Sequence, residues 1–264
     1  MNKRLILCSA FLSILIPSVS FAQNNYAVPH AVNLDAIVRR SFTKYYVRPY
    51  PGAIRQQLYP DGFYPIGWSR DGKFAYYIEQ VDEACSCYFG ELMIQDLRTD
   101  KILWHFKNDP QSRVDDKGAP IEDDLRKLWK RNEKMFVDKL REHKIDQVAR
   151  FALMPATFRS AGKAYAAKVV AVKANDDDGL NRVRRLTLEL GSPTLGKKSL
   201  FTSDYKGDEM WVSPLDATVA GVLKSPFENR VAVVMIKVQR GYEGPPHTVE
   251  AQIAGSDLAT GFRK

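Results

Sequence analysis

Hydrophobic and polar positions change period three times along this chain. Leu5 to Ile16 is an apolar run broken only by Cys8, Ser9 and Ser13. From Tyr64 the pattern shortens to strand-length runs of β-branched and aromatic residues, bounded by Asp, Gly, Ser and Pro. Between about 120 and 143, apolar residues recur at helical spacing, and from Tyr165 the strand-length runs return. These periods predict a mainly β fold with one long amphipathic helix inserted.

The first β unit is compact in sequence. Ile66-Gly67-Trp68 runs into the turn Ser69-Arg70-Asp71-Gly72. Lys73 to Gln80 then reads as a strand, followed by a loop carrying Cys85, Cys87 and Gly90. A strand over Glu91 to Leu97, a turn at Arg98-Thr99-Asp100 and a strand over Lys101 to Phe106 complete an antiparallel meander. Its outer turns have the Trp-Ser-x-Asp-Gly-Lys and Asp-Leu-x-Thr pattern of a propeller blade.

A second unit near the C-terminus shares this plan. A turn at Pro226-Phe227-Glu228-Asn229 leads to a strand over Arg230 to Val238, a loop from Gln239 to His247 and a strand over Thr248 to Ala254. Ser225 matches Ser69, Ala232 matches Ala75, and Asp257-Leu258-x-Thr260 matches Asp96-Leu97-x-Thr99.

Between the units lies the helix, opened by Ala119-Pro120 and with Glu122, Asp123 and Asp124 expected in its first turn. Pro suits a first helical turn, and acidic side chains suit the positive end of the helix dipole. Leu125, Leu128, Trp129, Phe136 and Leu140 form its apolar stripe. Beyond it, Tyr165 to Lys173 and Arg182 to Leu190 predict a hairpin around Asn175-Asp176-Asp177-Asp178-Gly179, with short strands at Ser199–Thr202 and Met210–Val212. Some ten to twelve strands are too few for a closed propeller of four four-stranded blades. Propeller-blade-like antiparallel meanders without closure, or two packed sheets, fit the count better.

The N-terminus changes the setting. Met1-Asn2-Lys3-Arg4 is a basic head before the apolar run, Pro17 ends the run, and Ser20-Phe21-Ala22 supplies small residues for cleavage after Ala22. Residues 1–22 thus read as a secretory signal peptide. The apolar run is shorter than the roughly 20 residues of a membrane-spanning helix. No later stretch is apolar for long enough to span a bilayer. The mature chain then divides into an N-terminal arm at 23–62, with a short helix inside Ala31 to Tyr45, and a mainly β domain at 63–264. The expected location is the periplasm or the cell exterior.

Charge follows from the same cut. The precursor carries +8, and loss of Lys3 and Arg4 leaves +6, dispersed along the chain. A basic exported protein is drawn to acidic polymers or headgroups by long-range attraction. Outside the cytoplasm, nucleic acid is not an expected partner. Cys8 leaves with the signal peptide, so Cys85 and Cys87 remain. They are open to three readings: a strained local disulfide favoured by an oxidising compartment, two ordinary thiols, or a metal site. The metal reading lacks a His within ten residues of the pair, and zinc needs about four ligands.

Catalytic motifs are absent: no Gly-x-Ser-x-Gly, no His-Glu-x-x-His and no phosphate-cradling glycine loop. The Asp-rich loop fails the EF-hand spacing, because its first and twelfth positions are Ala174 and Arg185. Of the four His, His30 lies in the arm, His105 in a strand and His143 at the helix end. The best local candidate is the loop Arg240 to His247, where two Gly and two Pro constrain Tyr242, Glu243 and His247 as binding residues.

Together these features resemble a family of predicted secreted bacterial proteins that carries only a domain-of-unknown-function label. The matching pieces are the signal peptide, Gly67 to Lys73, Ile94-Gln95-Asp96-Leu97, the helix ending Leu140 to Ile145, Ser225-Pro226 and Gly241-Tyr242-Glu243-Gly244-Pro245. The resemblance spans most of residues 63 to 255, Cys85-x-Cys87 departs from it, and it implies export without naming an activity.

Two functions are therefore expected. One is a non-catalytic envelope or periplasmic binding protein, needing no cofactor, whose partner is an envelope protein or a polyanion. The alternative is a hydrolase of envelope polymers with Glu243 and His247 as acid–base residues.

Overall fold

The structure is a computed structural model and describes residues 26–46, 58–81, 88–108, 123–175, 181–207, 212–241 and 245–264. The described residues are mainly β, with thirteen strands in three sheets. The N-terminal arm gives α1 (Asp35–Ser41), a short 3-10 turn at Thr43–Tyr45, and β1 (Leu58–Pro60).

The first sheet is the predicted meander: β2 (Gly62–Trp68), β3 (Lys73–Gln80), β4 (Phe89–Asp96) and β5 (Lys101–Asn108). The two-residue β6 (Asp146–Gln147) extends it on the β2 edge. One face is covered by α2 (Leu125–Glu142), which buries Leu125, Leu128, Trp129, Phe136 and Leu140 against Ile66, Tyr77, Leu92 and Ile94. The helix starts later than expected. Asp124 is its N-cap, accepting from the Lys127 amide at 2.8 Å, so no acidic residue occupies the first turn. Ala119-Pro120 and Glu122 lie outside the described residues.

The central sheet contains the second unit, β11 (Asp216–Lys224), β12 (Arg230–Gln239) and β13 (His247–Asp257), with β1 added beside β13. That β1–β13 pair is parallel, a departure from the purely antiparallel meanders expected. The outer sheet holds β7 (Thr157–Ser160), β8 (Lys163–Asn175), β9 (Asn181–Ser192) and β10 (Gly196–Asp204). The strands form three sheets, one more than the two-sheet alternative. The hairpin predicted around the Asp-rich loop is flanked by the short β7 on one side and on the other by β10, which contains the strand expected at Ser199–Thr202, and becomes a sheet of its own. Asp176 to Asp178 and most of the strand expected at Met210–Val212 lie outside the described residues.

The layers run helix, first sheet, central sheet, outer sheet. Phe63, Trp68, Phe74 and Tyr76 meet Leu223, Val234, Ile236 and Ile253 between the first two sheets. Val222, Val231, Val233 and Met235 meet Leu186, Leu188 and Leu190 between the second two. Each such side chain contributes about 1.5–3 kcal/mol by leaving water.

One connection straps the layers together. After α2, β6 pairs with β2, Met154 bridges to Val222 in β11, and β7 enters the outer sheet. Glycines admit this strap at both edges. A Cβ on Gly67 would lie 2.2 Å from the Asp146 carbonyl oxygen, and one on Gly221 would lie 2.4 Å from that of Met154. Each glycine directly follows a register shift, at Ile66 and at Ala220.

Candidate functional site

The two units point the same way. At one end their turns touch: the Arg230 guanidinium donates to the Leu97 carbonyl at 3.0 Å, and Gln95 donates to the Ile253 carbonyl at 3.3 Å. At the other end β3 and β12 finish at Gln80 and Gln239, ahead of the two loops singled out from sequence. Cys85 and Cys87 in one loop, and Tyr242 and Glu243 in the other, lie outside the described residues.

His247 is described, and it is committed locally. Its Nδ1 accepts the Gly241 amide at 3.2 Å, and its ring meets Tyr45 edge-on at 5.8 Å. Tyr45 is delivered by the 3-10 turn that follows α1. Burial, then the charges of Arg240 and Arg182, hold the imidazole pKa below its ordinary value, which favours the neutral ring near pH 7. Among the described residues no carboxylate hydrogen-bonds to it.

A charged cluster surrounds this histidine. Asp216 at the start of β11 pairs with Lys44 at 2.6 Å and with Lys173 of β8 at 3.2 Å. Burial opposes its ionisation, but the two ammonium groups hold its carboxyl below the usual range. Lys44 also lies 5.0 Å from the centre of the Tyr45 ring. Arg182 is fully buried nearby, reaching the Ser213 carbonyl at 3.4 Å. The arm, central sheet and outer sheet thus meet at one cationic site that sequence spacing did not reveal.

Asp61 is the second residue that sequence reading passed over. It sits between β1 and β2 and is almost fully buried. Its carboxylate accepts from the Val81 amide at 3.4 Å and the Ala251 amide at 3.3 Å, tying the exit of β3 to β13. Burial pushes its pKa up to about 7, against the pull of those two amides.

The other histidines have structural partners or lie at the surface. His105 contacts Glu91 at 2.9 Å on the first sheet, His143 caps α2 through its backbone, and His30 is exposed. Among the described residues no group of three or more His, Cys, Asp or Glu is placed to hold a metal ion. No described helix is long and apolar enough to cross a membrane. No protein-family profile, curated protein or solved structure matches this chain.

Proposed function

We propose that the chain is an exported, non-catalytic binding protein of the periplasm or envelope, and that its partner is a polyanion. The fold is read as propeller-blade-like meanders stacked without closure. The resemblance to predicted secreted bacterial proteins belongs to the same proposal and rests on the motifs quoted for it. Export rests on the basic, apolar and small-residue order of the first 22 residues.

The observation that carries the binding reading is unbalanced surface charge. Among the described residues, exposed Arg126, Lys130, Arg141, Lys144, Lys163 and Lys224 form no salt bridge; exposed Asp35 and Glu133 form none either, while Asp138, Glu142 and Asp204 are paired, so the unpaired charge is mainly positive. Isolated surface ion pairs contribute little to stability, so unpaired cations cost the fold little and remain available to an acidic surface. The local engagement of His247 supports loop shaping over acid–base work.

Two measurements test this. Fractionation of cells expressing the full chain should recover a form beginning at Gln23 outside the cytoplasm. That form should be retained on an immobilised anionic polymer at low salt and released at about 0.3 M salt, where screening is strong. Flow-through at low salt would sink the reading.

A further inference from the structure

At about 100° of turn per residue, α2 divides into three faces. Leu125, Leu128, Trp129, Phe136 and Leu140 meet the first sheet. A second face holds ion pairs: Arg131 with Asp123 at 2.5 Å, Lys134 with Asp138 at 2.5 Å and Lys139 with Glu142 at 2.7 Å. The third carries Arg126, Lys130 and Arg141, which are all exposed. These three fall within about 60° of arc, with Lys134 at their edge. Among the described residues they make no salt bridge.

This third face works mildly against its own helix. Arg126, Lys130 and Lys134 recur at four-residue steps, and like charges so spaced repel. Arg126 and Lys127 also lie at the positive end of the helix dipole, where the first turn holds no acidic residue. The N-cap carboxylate of Asp124 is 3.7 Å from the Lys127 ammonium and makes no salt bridge to Arg126. Glu133, exposed and without a salt bridge, is the carboxylate on this face. A charge pattern that breaks the local rules of its element without a gain inside the fold points to a partner outside it.

We infer that this cationic stripe is the docking line for one strand of an acidic polysaccharide, whose carboxylates meet Arg126, Lys130 and Arg141. The inference rests on the polyanion reading above and gives it a surface and a partner class. Shape and charge select that partner. Lys130 follows Arg126 by about 6 Å along the axis and Arg141 by about 22 Å, in a band one side chain wide. A linear chain of repeated carboxylates can follow such a band, and its two guanidinium groups suit bidentate contact with carboxylate. A membrane-surface helix would instead bury its apolar face in lipid, and that of α2 is committed to the first sheet. Met135, the exposed large apolar residue of α2, lies about 140° around the axis from Lys130.

The test is equilibrium binding of the purified protein to polygalacturonate, with phosphatidylglycerol vesicles as the competing surface. Arg126→Gln/Lys130→Gln/Arg141→Gln should weaken polygalacturonate binding at least about tenfold at low salt and lower the slope of log affinity against log salt by about two. Lys163→Gln/Lys197→Gln/Lys224→Gln takes the same charge from exposed positions on the central and outer sheets. It should weaken binding less than about threefold, through long-range attraction alone. Glu133→Gln should tighten binding about twofold. The stripe variant should melt no lower than the parent, because it relieves repulsion along the helix. Equal losses in the two triple variants, or weaker binding by Glu133→Gln, overturn the stripe and leave the polyanion reading standing. Melting at a lower temperature would show that the cations serve the fold, and overturns it too. Tighter, stripe-dependent binding to the vesicles replaces the polysaccharide with a membrane surface. Polygalacturonate left unbound by the unaltered protein overturns the polysaccharide, and loss of retention on the anionic polymer as well removes the polyanion reading itself.

Discussion

The first sheet and the central sheet contain the same turn chemistry in different surroundings. In the first unit Asp96 accepts from the Arg98 amide and the Thr99 hydroxyl, and the Leu97 amide reaches back to the Gly72 carbonyl at 2.9 Å. In the second, Asp257 accepts from the Ala259 and Thr260 amides and the Thr260 hydroxyl, and Leu258 reaches the Asn229 carbonyl at 2.9 Å. Burial separates them. β12 is buried almost end to end because sheets lie on both of its faces, whereas β5 leaves Ile102 and Leu103 exposed at the rim. Local turn codes therefore specify the unit, and its neighbours decide how apolar each strand must be.

The joints of the strap break this comparison most strongly. Gly67→Ala and Gly221→Ala each place a methyl against backbone that side-chain rotation cannot move. Each should cost more than about 3 kcal/mol, the upper range for overpacking, or prevent folding. Gly191→Ala is the control, with 3.8 Å of clearance and an expected change within about 0.5 kcal/mol. Urea unfolding of the three variants checks this. Equal stability across them would remove the strap as a shared element of both units.

Asp61 joins the two units at the other end, and its effect depends on pH. Its pKa is raised from 3.8 to about 7 in the folded chain. Between those values the folded state binds more protons than the unfolded state, so stability falls as pH rises through that window and levels off above about 7. The loss is on the order of a few kcal/mol, read as a falling unfolding free energy from about pH 4 to 7. Asp61→Asn should flatten that slope whatever its offset. An unchanged slope would mean that the carboxyl is ionised in the fold across the whole window.

Core truncations sharpen the difference in surroundings. Ile236→Ala in β12 empties a site packed between the first and central sheets and should cost about 3 kcal/mol. Leu103→Ala in β5 removes a side chain that is 42% exposed and should cost less than about 0.5 kcal/mol. Similar losses in the two variants, measured by denaturant midpoint at constant slope, would show that the exposed rim is covered in solution.

These contrasts also mark what was legible in the sequence. Strand–turn–strand order in both units was readable because Ser69, Asp96, Ser225 and Asp257 act within four residues of themselves. The long helix was readable from its stripe, although its start was not, since Asp124 caps rather than fills the first turn. The outer sheet was legible in part: its hairpin and the Ser199–Thr202 portion of β10 were readable, but β7 has only four residues and the mostly polar side chains of β10 blurred its ends. Asp61 was invisible because its burial partner Ala251 lies 190 residues away. The same distance effect hid the cluster around His247, where Tyr45, Asp216 and Lys173 come from separate elements.

The smallest effect distinguishes the two turns themselves. Asp257 accepts three turn hydrogen bonds and Asp96 two, so Asp257→Ala should cost about 1.5 kcal/mol and Asp96→Ala about 1 kcal/mol. Burial opposes ionisation of Asp257, but the Ala259 and Thr260 donors and Arg230 outweigh it and hold the pKa below 3.8. A depressed acid stabilises the fold above its unfolded pKa and loses that stabilisation as pH falls through the folded value. Asp257→Ala should therefore remove part of the acid-side decline below about pH 4, while the gap between variant and parent holds constant from pH 5 upward. The turns would be equivalent, despite their different burial, if both substitutions cost the same at pH 7.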